Sequence, residues 1–227
     1  MKELQLLSFE VTNRCNLSAA HPWCPSNRPE RYSDYSAVPM SDDAIFRFAM
    51  AAQSVGFKGR VALHYFNEPT LDMPRCERIS GMLQALNIGV LLWTNGTYKR
   101  VPADTFADVF VTQYGPTCDG KTHDVPYMPD ARIEMYNTEP GDVRKPCYRP
   151  RTIEMPIDYY GNVHMCCGDW RGDVKIGNIM TDCHADILVK WGEVIRKAEC
   201  CAYEVCQRCV MLSASPVLEQ KDYKIWG

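Results

Sequence analysis

Apolar residues fall into short runs and helical stripes that alternate along the chain. Leu6 to Thr12 (LLSFEVT) reads as a buried strand. Asn13 to Pro39 reads as a loop rich in proline and polar residues, and it carries Cys15 and Cys24. Ser41, Asp42 and Asp43 cap a helix over 44–55, whose apolar residues recur at helical spacing. Gly56 and Gly59 end it. The series continues with a strand at 60–66 (RVALHYF), a helix at 74–86 and a strand at 88–94 (IGVLLWT). A short helix at 104–108 and strands at 108–114 (DVFVTQY) and 131–137 (ARIEMYN) complete it. This alternation predicts an α/β fold with a parallel sheet and a ligand site at the C-terminal ends of the strands. At most five strand–helix units fit, and the last connections are short. The expectation is an open, partial β/α barrel.

The pattern changes after Pro140. Residues 155–167 (MPIDYYGNVHMCC) read as a β-hairpin turning at Tyr160-Gly161-Asn162, and a helix spans 184–199. A cysteine-rich end and a tail follow. We place a boundary near residue 142, giving units 1–142 and 143–227.

Bulk composition narrows the class. Hydrophobic residues make up 46% of the 227, and 25 basic against 28 acidic side chains leave a net charge of −3. That balance points to neither a nucleic-acid nor a membrane partner. No apolar run approaches the roughly 18 residues of a membrane span. The N-terminus has no signal-peptide core, so a cytoplasmic protein is expected.

Twelve cysteines change the picture, because eight of them lie from Cys147 onward. In a reducing compartment such clusters serve metals or catalysis more often than disulfides. Cys206-Gln-Arg-Cys209 is a C-x-x-C knuckle that lets two thiolates converge. Cys147 precedes the hairpin and Cys166 ends it. Four thiolates suit zinc or a [4Fe-4S] cluster, and spacing does not choose between them. Cys167, Cys183, Cys200 and Cys201 also read as packed, unliganded thiols.

Cys147, Gly161-x4-Cys166 and Cys206-x-x-Cys209 resemble the auxiliary-cluster region of radical S-adenosylmethionine (SAM) enzymes with a SPASM or twitch domain. The later Gly177-Asn178 fits too. The chain closes soon after Cys209, which favours the shorter, one-cluster twitch form. SFEVTNRCNL (8–17) resembles the superfamily's first strand and first cluster cysteine. LHYFNEPTLD (63–72) resembles the motif that holds the SAM amino group, and LLWTNGT (91–97) its third strand. The resemblance runs from about residue 8 to 209.

One segment departs from it. The family's loop is C-x-x-x-C-x-x-C, but Ala19 stands in the middle cysteine's place, with three residues between it and Cys15. Trp23 matches the aromatic before the last cysteine, which makes Cys24 that ligand. Counting back gives His21, so the loop reads C-x5-H-x2-C. Three explanations stand. His21 is a third ligand, alanine has been engineered into a cysteine position, or this half has decayed and holds no cluster.

The resemblance implies two [4Fe-4S] clusters, SAM, and an electron donor such as flavodoxin or ferredoxin. The first cluster would use Cys15, His21 and Cys24; the auxiliary one Cys147, Cys166, Cys206 and Cys209. Glu68 would hold the SAM amino group, with Trp23, Asn67, Thr94 and Asn95 lining its pocket. Cys118 is placed for hydrogen donation, with an exposed loop cysteine as its plainer reading. Trp93 reads as core and Trp170 as packing over the hairpin. Arg144, Lys145, Arg149 and Arg151 surround Cys147 with positive charge. The implied activity is hydrogen abstraction from a small polar substrate, a sugar or aminocyclitol, ending in dehydrogenation or epimerisation. The alternatives are a ribosomal-peptide-modifying enzyme of the same class and a non-catalytic iron–sulfur or zinc module.

Overall fold

The computed structural model describes residues 4–20, 24–27, 38–98, 101–102, 104–112, 122–125 and 154–209. Among them eight strands form one open sheet. They are β1 (Leu6–Phe9), β2 (Arg60–Ala62), β3 (Val90–Thr94), β4 (Asp108–Thr112), β5 (Thr122–Val125), β6 (Glu154–Ile157), β7 (Asn162–Val163) and β8 (Gly177–Asn178). Their order is β5-β4-β3-β2-β1-β6-β7-β8. Every pairing from β5 across to β6 is parallel, while β7 runs antiparallel to both β6 and β8. β6 joins the far edge of β1, with Leu6 opposite Glu154 and Phe9 opposite Ile157.

Local chemistry explains the helices. In α1 (Asp42–Ser54) the Ser41 hydroxyl accepts the Ala44 N–H at 3.1 Å, and Asp42 and Asp43 sit in the positive first turn. Ala44, Ile45, Phe48, Ala49 and Ala52 form its buried stripe. α2 (Met73–Gln84) starts at the Asp72 cap with proline in its first turn, where a missing N–H costs nothing. α3 (His184–Glu199) buries Ile187, Leu188, Trp191, Val194, Ile195 and Ala198. The short α4 (Glu204–Gln207) follows.

Alternation along the strands separates two faces. Leu7, Phe9, Val61, Leu63, Leu92, Val109, Met155 and Ile157 face the helices in one core that also holds residues of α1, α2 and α3. α3 packs on α1, and the His184 ring meets Phe48 edge-on at 5.3 Å. The opposite face carries Leu6, Ala62, Leu91 and Phe110, with Trp93 and Ala107 half-buried beside them.

Some expectations need correction. Two strands are shorter than their apolar runs, ending at Phe9 and Ala62, and of the expected strand at 108–114 the described part is Asp108–Thr112. Residues 104–107 form turns rather than a helix, because so short a segment does not repay helix nucleation and β4 pairs with β3 instead. β5 was not expected, since THDV has no apolar run. The expected strand at 131–137 lies outside the described residues. No described helix is long and apolar enough to cross a membrane.

Candidate functional site

Three chain segments leave the C-terminal ends of β1, β2 and β3 side by side, and one carboxylate ties them together. Glu68, only 1% exposed, accepts the Thr94 hydroxyl at 2.7 Å, the Thr70 N–H at 3.0 Å and the Thr70 hydroxyl at 2.5 Å on Oε1. Its Oε2 accepts the Asn95 N–H at 2.7 Å. The Glu68 N–H in turn donates to the Arg14 carbonyl at 2.9 Å, next to Cys15. A buried carboxylate needs this many donors to offset its lost hydration.

The Asn95 side chain extends the knot to the cysteine loop. Its Nδ2 donates to Asn16 Oδ1 at 2.8 Å and lies 3.9 Å from Cys15 Sγ. Cys15 is half-buried. Burial pushes its thiol up, and the nearby Glu68 and Cys24 add to this. Cys24, half-buried as well, receives the Ser26 hydroxyl at 3.2 Å.

Asn67 adds a second sign of a ligand. Its Oδ1 accepts the Tyr65 N–H at 2.9 Å, but its buried Nδ2 has no hydrogen-bond partner among the described residues. Leaving such a donor unpaired costs about 1–3 kcal/mol, which a bound acceptor would recover. The described part of the site thus offers two free thiols, Cys15 and Cys24, and an amide donor at Asn67 without a partner. His21 and Trp23 lie outside the described residues.

The auxiliary set is less complete. Cys166 and Cys209 are buried in the main core and half-buried Cys206 packs against it. The Cys209 N–H bonds the Cys206 carbonyl at 3.1 Å, which closes the knuckle. Among the described residues no three His, Cys, Asp or Glu side chains converge enough to hold a metal. Cys147, Cys118 and the basic cluster at 144–151 lie outside the described residues.

Several residues escaped the sequence reading. Glu10, fully buried, accepts the Phe66 N–H at 3.3 Å and the Tyr159 N–H at 3.1 Å, clasping the β2 loop to the β6–β7 turn. Arg75 of α2 donates to the Val11 and Met40 carbonyls, pairs with Asp42 at 2.7 Å and lies over the Tyr159 ring. His164 sits between the Asp158 carboxylate (3.0 Å) and the Asp169 carbonyl (2.9 Å). Burial alone would lower its pKa, but Asp158 outweighs that and the net shift is upward. Burial pushes the neighbouring Asp169 up to about 7. Tyr65 and Phe66 pack with Trp170, so Trp170 meets the β2 loop.

Trp93 is half-buried and packs against the smaller apolar cluster on the second sheet face. It is stacked between His64 (5.1 Å, 20°) and Phe110 (4.8 Å, 15°). These three residues belong to the segments of β2, β3 and β4. The signal was present in IGVLLWT. Strict alternation puts Trp93 opposite Val90 and Leu92. The same rule puts Glu10 with Ser8, away from Leu7 and Phe9.

No protein-family model matches the sequence, and no curated protein matches it. Solved structures that share the fold include two of BtrN. BtrN in complex with AdoMet and 2-DOIA superposes with a TM-score of 0.69 at 19% identity, covering 92% of this chain and 94% of that one. Selenomethionine BtrN in an open conformation gives 0.65 at 18%, with the same coverage. The partial, mostly parallel barrel of this chain is the architecture of those structures.

Proposed function

We propose that this protein is a radical SAM enzyme that removes hydrogen from a small hydroxylated molecule of sugar or aminocyclitol type. The observation that carries this reading is the Glu68 knot, which draws Cys15, Asn95 and the β2 loop together at the C-terminal ends of three parallel strands. Its support is the fold shared with BtrN, crystallised in complex with AdoMet and 2-DOIA.

Cys15, His21 and Cys24 would hold the SAM-binding cluster, and Asn67, Glu68, Thr94, Asn95 and Trp23 would surround SAM. Cys147, Cys166, Cys206 and Cys209 would hold an auxiliary cluster in a twitch-type unit over 143–227. When bound, SAM and a reduced [4Fe-4S] cluster supply a 5′-deoxyadenosyl radical that takes hydrogen from an unactivated C–H bond. The chain's own part is placement. Glu68 fixes the ends of β2 and β3 against the cysteine loop, and Asn67 Nδ2 offers a donor to the amino-acid end of SAM. The edges of His64 and Trp93 offer positive ring rims to substrate oxygens. A cytoplasmic flavodoxin or ferredoxin would deliver the electron.

The second reading is a metal-binding module without catalysis. It draws on Ala19, which stands exposed where a ligand belongs. Anaerobic reconstitution separates the two. We expect about eight irons per chain and 5′-deoxyadenosine on addition of SAM and dithionite. Protein with both clusters that releases no 5′-deoxyadenosine would refute the enzyme, and one zinc without sulfide would establish the module.

A further inference from the structure

We infer that Trp170 is a positioning residue for SAM: it holds the 65–68 loop from the hairpin side, so that C-terminal residues set ligand affinity at the strand ends. This rests on the proposed function, which makes SAM the ligand of that loop.

The loop leaves the sheet early. β2 ends at Ala62, and the Leu63 N–H still reaches the Leu91 carbonyl at 3.0 Å. Beyond Leu63 the loop departs from the main core. Tyr65 and Phe66 form a separate buried cluster with Trp170, and half-buried Cys167 packs against it. The Tyr65 ring lies 4.2 Å from that of Phe66 and 5.4 Å from that of His164. Its hydroxyl donates to the Cys166 carbonyl at 3.5 Å. His164, Cys166, Cys167 and Trp170 all come from the stretch that follows β7. Glu10 makes a second tie, because it accepts the Phe66 N–H at 3.3 Å and the Tyr159 N–H at 3.1 Å.

Tyr65 passes this hold to the group that faces a ligand. Its N–H donates to Asn67 Oδ1 at 2.9 Å. A backbone N–H can only donate, so the atom it meets is the amide oxygen. Asn67 Nδ2 is thereby turned the other way, buried and with no hydrogen-bond partner among the described residues. SAM fits the loop on that observation, since the carboxylate of its methionine part is an acceptor for such a donor. The direction of the Asn67 donor thus follows the Tyr65 backbone, and the Tyr65 side chain is lodged against the hairpin. Removing the indole would leave a void beside Tyr65 and Phe66 and free the loop to shift.

The test measures SAM binding by titration calorimetry on the anaerobically reconstituted full chain, with no reductant present, so that nothing turns over. Trp170→Leu should weaken SAM binding about tenfold, within the usual span of coupling between distinct sites. Trp170→Phe keeps a flat ring and should stay near wild type. Trp191 of α3 supplies the control, because it is as buried as Trp170, at 3% exposed, but belongs to the main core. Trp191→Leu should lower Tm and leave SAM affinity unmoved. Unchanged affinity in Trp170→Leu overturns the inference. So does an equal loss in Trp191→Leu, which would report general destabilisation. Should Trp170→Leu fail to fold, the wild type decides. Coupling is reciprocal, so saturating SAM should slow hydrogen exchange over residues 166–172, and unchanged exchange there overturns the inference. Failure of the proposed function looks different. Wild type itself would then bind no SAM, and the role of Trp170 falls with it. SAM binding by wild type with unchanged affinity in Trp170→Leu sinks the role of Trp170 alone.

Discussion

Glu68 illustrates how much one side chain can hold. Glu68→Gln keeps the size but places an NH2 group where either Asn95 N–H or the Thr70 and Thr94 donors expect an acceptor. We expect a loss of about 1–3 kcal/mol in chemical denaturation, because a buried donor pair replaces a satisfied bond. Cys76 makes the opposite case. Burial pushes its thiol up to about 12, so at pH 8 only about one molecule in ten thousand carries the thiolate. Iodoacetamide should label exposed Cys183 and Cys200 in the native protein and spare Cys76, as read by peptide mass spectrometry. At this scale the sequence was informative where a motif or a period existed. Cys15, Glu68 and Asn95 stand in recognisable segments, whereas the continuous apolar run in IGVLLWT makes Trp93 read as core. The buried Asp158–His164–Asp169 contacts had no such signal, since HMCCGD has no period that reports a polar cluster.

Among the elements, the β6–β7 hairpin is set by its turn. Gly161 has φ +84°, and a Cβ there would lie 3.1 Å from Asn178 Oδ1 and 3.3 Å from Ile179 Cγ1. Gly161→Ala should cost about 1 kcal/mol or more, read as a fall in Tm. Inside the hairpin, both ring nitrogens of His164 face acceptors, which suits the doubly protonated ring. His164→Leu would strand the buried Asp158 carboxylate. The N–H groups of Tyr160 and Asn162 still reach it, so the loss should be about 3 kcal/mol, the low end for breaking a buried pair. The hairpin and α3 were legible because turn chemistry and helical periodicity are local. β5 was not, because its place is fixed by pairing with β4 and not by an apolar run.

For the molecule as a whole, the open sheet was legible from the strand–helix alternation, but its strand order was not. Nothing local in EMPI announces that it will lie beside LLSF. The proposed clusters add a term that the core does not supply. A group bound only by the folded chain stabilises it by RT ln(1 + L/Kd), where L is its free concentration, so by more the further L exceeds Kd. Removing iron with a chelator should lower Tm, and hydrogen exchange should rise first around Cys15, Cys24 and Cys206–Cys209, the proposed ligands.

The parallel contact of β6 with β1 also dictates an order of events during synthesis. β1 leaves the ribosome well before β6, and its second edge cannot be filled until Glu154–Ile157 emerges. Closing a loop of that length costs about 4 kcal/mol of chain entropy, and until then the β1 edge is open to other chains. A nascent chain halted near residue 142 should therefore recruit chaperones or aggregate, and ribosome-release assays on stalled lengths either side of residue 157 would show the change.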